Sequence, residues 1–158
     1  VMKLGETQVH VLEVPGHTLG HIAYYFEDDR TAFVGDTLFA LGCGRLFEGS
    51  AEQMWQSLEK LMNLPDNTTV YCAHEYTQAN AAFAITVEPD NAALQDRIQE
   101  IARLRAQGIP TVPTSIGLER QTNPFVRPTS SNLQATINLV GADPLAIFAE
   151  TRKRKDHF

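Results

Sequence analysis

No apolar run in this sequence approaches the roughly 20 residues that a membrane-spanning helix needs, so a chain that does not cross a membrane is predicted. A surplus of cations is also missing. Lys and Arg number 13 against 19 Asp and Glu, a net charge of −6, which argues against a nucleic-acid partner whose phosphates must be neutralised. Cysteine is scarce. Cys43 and Cys72 are the only two, too few for a metal finger or a disulfide framework, and free thiols in a reducing cytoplasm are expected. The first residues, Val1-Met2-Lys3-Leu4-Gly5, lack the layout of a secretory signal. The chain starts on a residue other than Met and soon enters a strand pattern, so an N-terminally shortened protein is expected. Finally, no segment of the form His-x-His-x-Asp-His occurs.

What is present is a globular composition, with 43% hydrophobic and 20% charged residues, which excludes a disordered chain. Val9, Val11, Leu12 and Val14 read as a strand ending at Pro15-Gly16. Ile22 to Phe26 and Thr31 to Val34 follow as strands joined at Asp28-Asp29, and Thr69 to Cys72 as a fourth. A helix is predicted over Ala51 to Met62, N-capped by Ser50, with Met54, Leu58, Leu61 and Met62 on one face. Beyond Glu75 the periods become helical: Ala79, Ala82, Phe83 and Ile85; then Leu94, Ile98, Ile101 and Leu104, stopping at Gly108; then Leu133, Ile137 and Val140; and a last helix from Pro144 to Lys155. Pro110 to Pro128 reads as a long loop ordered by Ile116, Leu118 and Phe125. The expected fold class is α+β, with a sheet-containing part over 1–73 and a helical part over 74–158.

Three runs place a metal-binding side chain just past a strand end: Gly16-His17-Thr18-Leu19-Gly20-His21, Gly35-Asp36-Thr37-Leu38-Phe39 and Cys72-Ala73-His74-Glu75-Tyr76-Thr77. Loops at one edge of a rigid sheet can converge on one ion, and an Asp has two oxygens, so one carboxylate can bridge two. Taken singly, His17 and Asp36 are a turn histidine and a turn aspartate, and His74 a half-buried histidine. Taken together they read as ligands, with His21 supporting from outside. Cys72 is set aside as a nucleophile because no base-orienting group or oxyanion hole is identifiable. His10 and His157 belong to no motif. The run Arg152-Lys153-Arg154-Lys155 could hold a small anion, since Arg152 and Lys155 share a helix face. On the residues alone the preferred reading is the cationic complement of a helix C-terminus.

These runs, with Cys43-Gly44-Arg45-Leu46-Phe47-Glu48-Gly49, Glu119-Arg120-Gln121-Thr122-Asn123-Pro124-Phe125-Val126-Arg127 and the closing Arg152-x-x-Lys155-Asp156, resemble glyoxalase II, the hydroxyacylglutathione hydrolases of the metallo-β-lactamase superfamily. The resemblance covers nearly the whole chain. It implies the C-terminal half of an αββα sandwich followed by an α-helical, glutathione-binding domain. It also implies two divalent metal ions, zinc first with iron or manganese compatible, held by His17 and His74 on either side of a bridging Asp36. A hydroxide formed from water made acidic by both cations, with Asp36 acting through it, would attack the thioester carbonyl of an S-(2-hydroxyacyl)glutathione, typically S-D-lactoylglutathione, as in methylglyoxal detoxification. Glutathione thiolate would leave. Substrate contacts are implied for Arg45, Leu46, Phe47, His74, Glu75, Tyr76, Arg152 and Lys155, with Phe47 standing where some members have tyrosine.

The family's His-x-His-x-Asp-His segment has no counterpart here, which leaves two ligands per ion. The isolated chain is therefore expected to be inactive or nearly so. Its uncovered sheet face is expected to associate with the missing N-terminal segment or with another copy. Two other readings are a noncatalytic glutathione-binding or assembly module, and a superfamily hydrolase acting on a different ester.

Overall fold

The computed structural model describes residues 1–158. Eight strands and six α-helices follow one another as β1 (Met2–Leu4), β2 (Thr7–Glu13), β3 (Ile22–Phe26), β4 (Thr31–Gly35), β5 (Leu38–Phe39), β6 (Gly42–Cys43), α1 (Ala51–Met62), β7 (Thr69–Cys72), α2 (Thr77–Val87), α3 (Ala92–Ala106), β8 (Thr114–Ser115), α4 (Ile116–Thr122), α5 (Ser131–Thr136) and α6 (Pro144–Asp156). The main sheet runs β1-β2-β3-β4-β7-β8, and β5-β6 form a separate hairpin. Only β4 and β7 pair in parallel. Because β2 and β4 are each antiparallel to β3, β2, β4 and β7 all point the same way and end at one edge of the sheet.

Alternation of side chains gives this sheet two faces of different fate. Ala23, Tyr25, Ala32, Val34 and Val70 are buried and pack with Met54, Leu58 and Leu61 of α1. Across the register, Val11 faces Tyr24, Tyr24 faces Phe33 and Phe33 faces Tyr71. These four form an apolar row on the other face, each 39–45% exposed, with the Phe33 and Tyr71 rings stacked at 5.1 Å.

The α1 helix has the expected limits, and a full capping box holds its start: the Ser50 hydroxyl accepts from Gln53 N–H, and the Gln53 side chain accepts from Ser50 N–H. Three expectations are corrected. Ala79 and Ala82 are exposed, since α2 buries two flanks rather than one stripe: Phe83 and Val87 enter the main core, while Ala81 and Ala84 meet Leu41, Leu94 and Ile101 in a smaller one. The helix at Leu133 stops at Thr136 because Asn138 takes a left-handed φ of 61°, which leaves Val140 exposed. The stretch Pro110 to Pro128 is not a loop throughout. Thr114 pairs with Val70 to add β8 to the sheet, Ser115 caps α4, and Asn123 caps a 3₁₀ turn at Pro124–Val126.

The helical half thus supplies an edge strand, and Ile116, Phe125, Leu133, Ile147 and Phe148 belong to the same apolar cluster as the sheet. No helix is long and apolar enough to cross a membrane. Leu58, wholly buried in that cluster, should cost about 2–5 kcal/mol when truncated to alanine. Chemical denaturation of Leu58→Ala is expected to keep a single transition, shifted to lower denaturant; two separated transitions would reveal independent cores.

Candidate metal and anion site

His17, Asp36 and His74 follow β2, β4 and β7 respectively, so the common direction of those strands delivers all three to one edge. The loop carrying His17 is zipped to residues 48–49: Gly49 N–H donates to Gly16 O at 3.0 Å, Glu48 N–H to His17 O at 3.3 Å, and Leu19 N–H to the Glu48 carboxylate at 2.8 Å. The Nδ1 of His17 lies 2.9 Å from Arg45 O. A carbonyl can only accept, so Nδ1 carries the proton and the Nε2 lone pair is free. Gly35 has a φ of +55°, and a Cβ there would stand 2.5 Å from His21 Nε2. That space lets His21 Nε2 accept from Asp36 N–H at 2.9 Å. The supporting part expected of His21 is thus exerted on Asp36.

The Asp36 carboxylate turns one oxygen to each histidine, Oδ1 lying 3.2 Å from His74 Nε2 and Oδ2 4.0 Å from His17 Nε2. Two ligands of a tetrahedral dication, each about 2.0–2.1 Å from it, lie roughly 3.4 Å apart. The two separations bracket that value, so the donor set fits one ion on either side of the carboxylate. No three His, Cys, Asp or Glu side chains converge on a single point; Asp36 meets His17 and His74 in separate pairs.

A cavity of about 460 Å³ opens beside these residues, and Arg45, Phe47, His74, Tyr76, Arg152 and Lys155 are among its lining. The His74 and Tyr76 rings stack at 4.8 Å, Phe39 meets both edge-on, and Phe47 lies 4.8 Å from His17. Two expected contacts are not brought there. Leu46 packs against the core, and the Glu75 carboxylate accepts from Thr111 N–H, the Thr111 hydroxyl and Arg105 outside the cavity. The Thr111 amide and hydroxyl, more than Arg105, hold the Glu75 pKa below the usual carboxylate value.

The four-cation run divides. Arg152 is 4% exposed; it donates to Cys43 O at 3.0 Å, pairs with Asp156 and lies 5.0 Å over the Phe125 ring. Lys155 sits over Phe83 and Phe158, its pKa lowered by burial first and then by Arg152 and Arg45. Arg154 turns to the carbonyl of Ile137. Cys43, pushed up to about 11 by burial, and Cys72, raised by burial and donating to His74 O, are both held as thiols. Phe39, Cys43 and Asn80 also line the cavity. The sequence carries only one hint of them, that Phe39 and Cys43 belong to the runs holding Asp36 and Arg45.

Residues 1–74, which hold most of the mixed sheet with its helices on one face, match the metallo-beta-lactamase superfamily. Residues 75–158 match the description "Hydroxyacylglutathione hydrolase C-terminus". The chain belongs to the hydroxyacylglutathione hydrolase family. It is 58% identical over 99% of its length to a hydroxyacylglutathione hydrolase of Methylococcus capsulatus and 55% identical over 98% to one of Rhodospirillum rubrum, spanning 61% and 60% of those relatives. Among solved structures it is similar to ETHE1 from Myxococcus xanthus (27% identity, TM-score 0.55, 98% of this chain and 56% of that one). BLEG-1 B3 metallo-beta-lactamase (24%, 0.54, 79% and 44%) shares the fold. Superfamily membership implies use of divalent metal.

A methyl group at position 35 should drive His21 from the Asp36 amide. Gly35→Ala is expected to lower stability by about 1–3 kcal/mol and to weaken divalent-cation binding, as measured by competition with a chromophoric chelator.

Proposed function

We propose that this chain carries the shared metal ligand and the glutathione-binding wall of a thioester hydrolase acting on S-(2-hydroxyacyl)glutathione, S-D-lactoylglutathione being the expected substrate. The observation that carries the reading is the Asp36 carboxylate, one oxygen toward each histidine, beside a cavity lined by Arg45, Arg152 and Lys155. His17, Asp36 and His74 would hold two dications, zinc first, which when bound lower the pKa of water and stabilise charge developing on a carbonyl oxygen. Arg45 and Lys155 offer charge to the carboxylates of glutathione, and Tyr76 offers a hydroxyl. Arg152 spends its guanidinium on Cys43 O and Asp156; its part is to shape the wall and add positive potential. Glutathione leaves as a thiolate, which needs little help from an acid. The two free thiols support a cytoplasmic place of action.

Two protein ligands per ion are few for a tight catalytic site, so turnover of S-lactoylglutathione by the 158-residue chain with added zinc is expected to be barely detectable. Turnover equal to that of a full-length relative would overturn the ligand count argued here. The same pairing of ligands favours, as a second reading, a chain that binds glutathione without catalysis. Calorimetric titration addresses glutathione binding apart from turnover: Lys155→Ala or Arg45→Ala should weaken it about tenfold, the scale of a lost hydrogen bond to a charged group, and unchanged affinity would remove the anion site. A carboxylate binds the ammonium form of Lys155. As pH rises through its lowered pKa that charge is lost, so affinity should fall at a less alkaline pH than an exposed lysine would give. Lys155→Met should abolish this step.

The row Val11, Tyr24, Phe33 and Tyr71 supports a covering partner, either the sheet of an N-terminal segment such as longer relatives have room for or a second copy. Sedimentation should find self-association of the chain, relieved by Phe33→Glu; a monomer at all concentrations would set the second copy aside.

A further inference from the structure

The run from Glu119 to Asn123 has no place among the metal or anion contacts, yet it holds a buried charge whose bonds cross from the helical half to the β5-β6 hairpin. Glu119 is fully buried, and its carboxylate accepts four bonds: from Arg97 at 2.6 Å and the Thr114 hydroxyl at 2.6 Å on Oε1, and from Leu41 N–H at 2.9 Å and the Asn123 amide at 2.9 Å on Oε2. The Asn123 amide also donates to Phe39 O and Gly42 O, and Asn80 donates to Ala40 O. With Arg152 on Cys43 O, side chains of the helical half bind the backbone of every residue from Phe39 to Cys43. Leu41, at the tip, has a φ of 61°, a conformation unfavourable for a side chain other than glycine. The backbone bond to Glu119 holds it there.

The hairpin starts beside Asp36 and ends beside Arg45. Its ends are pinched: Gly44 N–H donates to Thr37 O, and a Cβ on Gly44 would stand 2.0 Å from Asp36 O. Phe39 abuts His74 and Tyr76, and Arg45 O fixes the His17 ring. A relaxed tip would therefore move the wall and the ligand orientation together.

We propose that Glu119, neutralised by Arg97 and braced by Asn123, is a positioning residue for the metal and glutathione site, acting through the β5-β6 hairpin; its effect on glutathione rests on the function proposed above. Amide hydrogen exchange of the 158-residue chain tests it without substitution. The Leu41 amide should exchange together with those of α3 and α4 as one unit, and exchange at the rate of an open loop would overturn the proposal.

The variant Arg97→Met/Glu119→Leu replaces the buried pair by apolar groups, which often preserves stability. It is expected to loosen exchange at residues 39–45 and weaken glutathione binding about tenfold or more, as misplaced binding groups do. Glu88→Gln, which breaks the separate buried pair with Arg127, should lower the melting temperature while leaving exchange at 39–45 and affinity unchanged. Equal effects of both variants on affinity, or wild-type exchange and affinity in the first, would overturn the proposal. Absence of glutathione binding by the unmodified chain would instead strike the proposed function, with hydrogen exchange still deciding whether Glu119 holds the hairpin.

Discussion

Backbone hydrogen bonding between β4 and β7, the one parallel pair in the sheet, sets how far apart Asp36 and His74 begin. Gly35 pairs with Cys72 in that register, and Ala73 N–H donates to Gly35 O. From that pair Asp36 is the next residue on the first strand, and His74 lies two residues on along the second. A parallel pair requires a crossover between its strands, and here α1 makes it, its apolar face closing over the same strands. The helix that permits the parallel pair also insulates the buried side of the sheet, so the packing of Met54, Leu58 and Leu61 and the approach of Asp36 to His74 are results of one topological choice.

The core does not divide into a sheet part and a helical part. Aromatic contacts run from Trp55 through Phe148 and Phe125 to Phe83, and β8 returns to the sheet after two helices. Charge follows the same logic. Burial of Glu119, Glu88 and Arg152 is costly unless each finds several donors or acceptors, and all three do so by reaching backbone or side chains far away in sequence. Such pairs constrain which arrangement of the two parts is acceptable more than they add stability.

Much of this was legible in the residues. Ile22 to Phe26 and Thr31 to Val34 were legible as strands from their apolar residues and the turn at Asp28-Asp29, and Ser50 marked the start of α1. His17, Asp36 and His74 were visible as candidates because each followed a strand end in a run of small residues. What escaped was set by tertiary partners. Thr114 and Ser115 are too short a strand to show periodicity, and their pairing depends on Val70. Val140 fits a helical period that Asn138 interrupts. Glu75 stands next to His74 yet turns away because Thr111 offers two donors. The hairpin at Leu41 has no signal at all, since nothing in a leucine announces a left-handed backbone held by a distant carboxylate.

The packing of Trp55 against Phe148, 5.9 Å between rings, has an optical consequence. It is the sole tryptophan, and it lies between α1 and α6 at the seam of the two parts. Its emission therefore reports opening of that seam and is blind to the uncovered sheet face. Of the four tyrosines, Tyr24 and Tyr71 lie on that face and Tyr76 in the cavity wall. Tyrosine and tryptophan emission thus report on separate places, the uncovered face and cavity wall on one hand and the seam on the other.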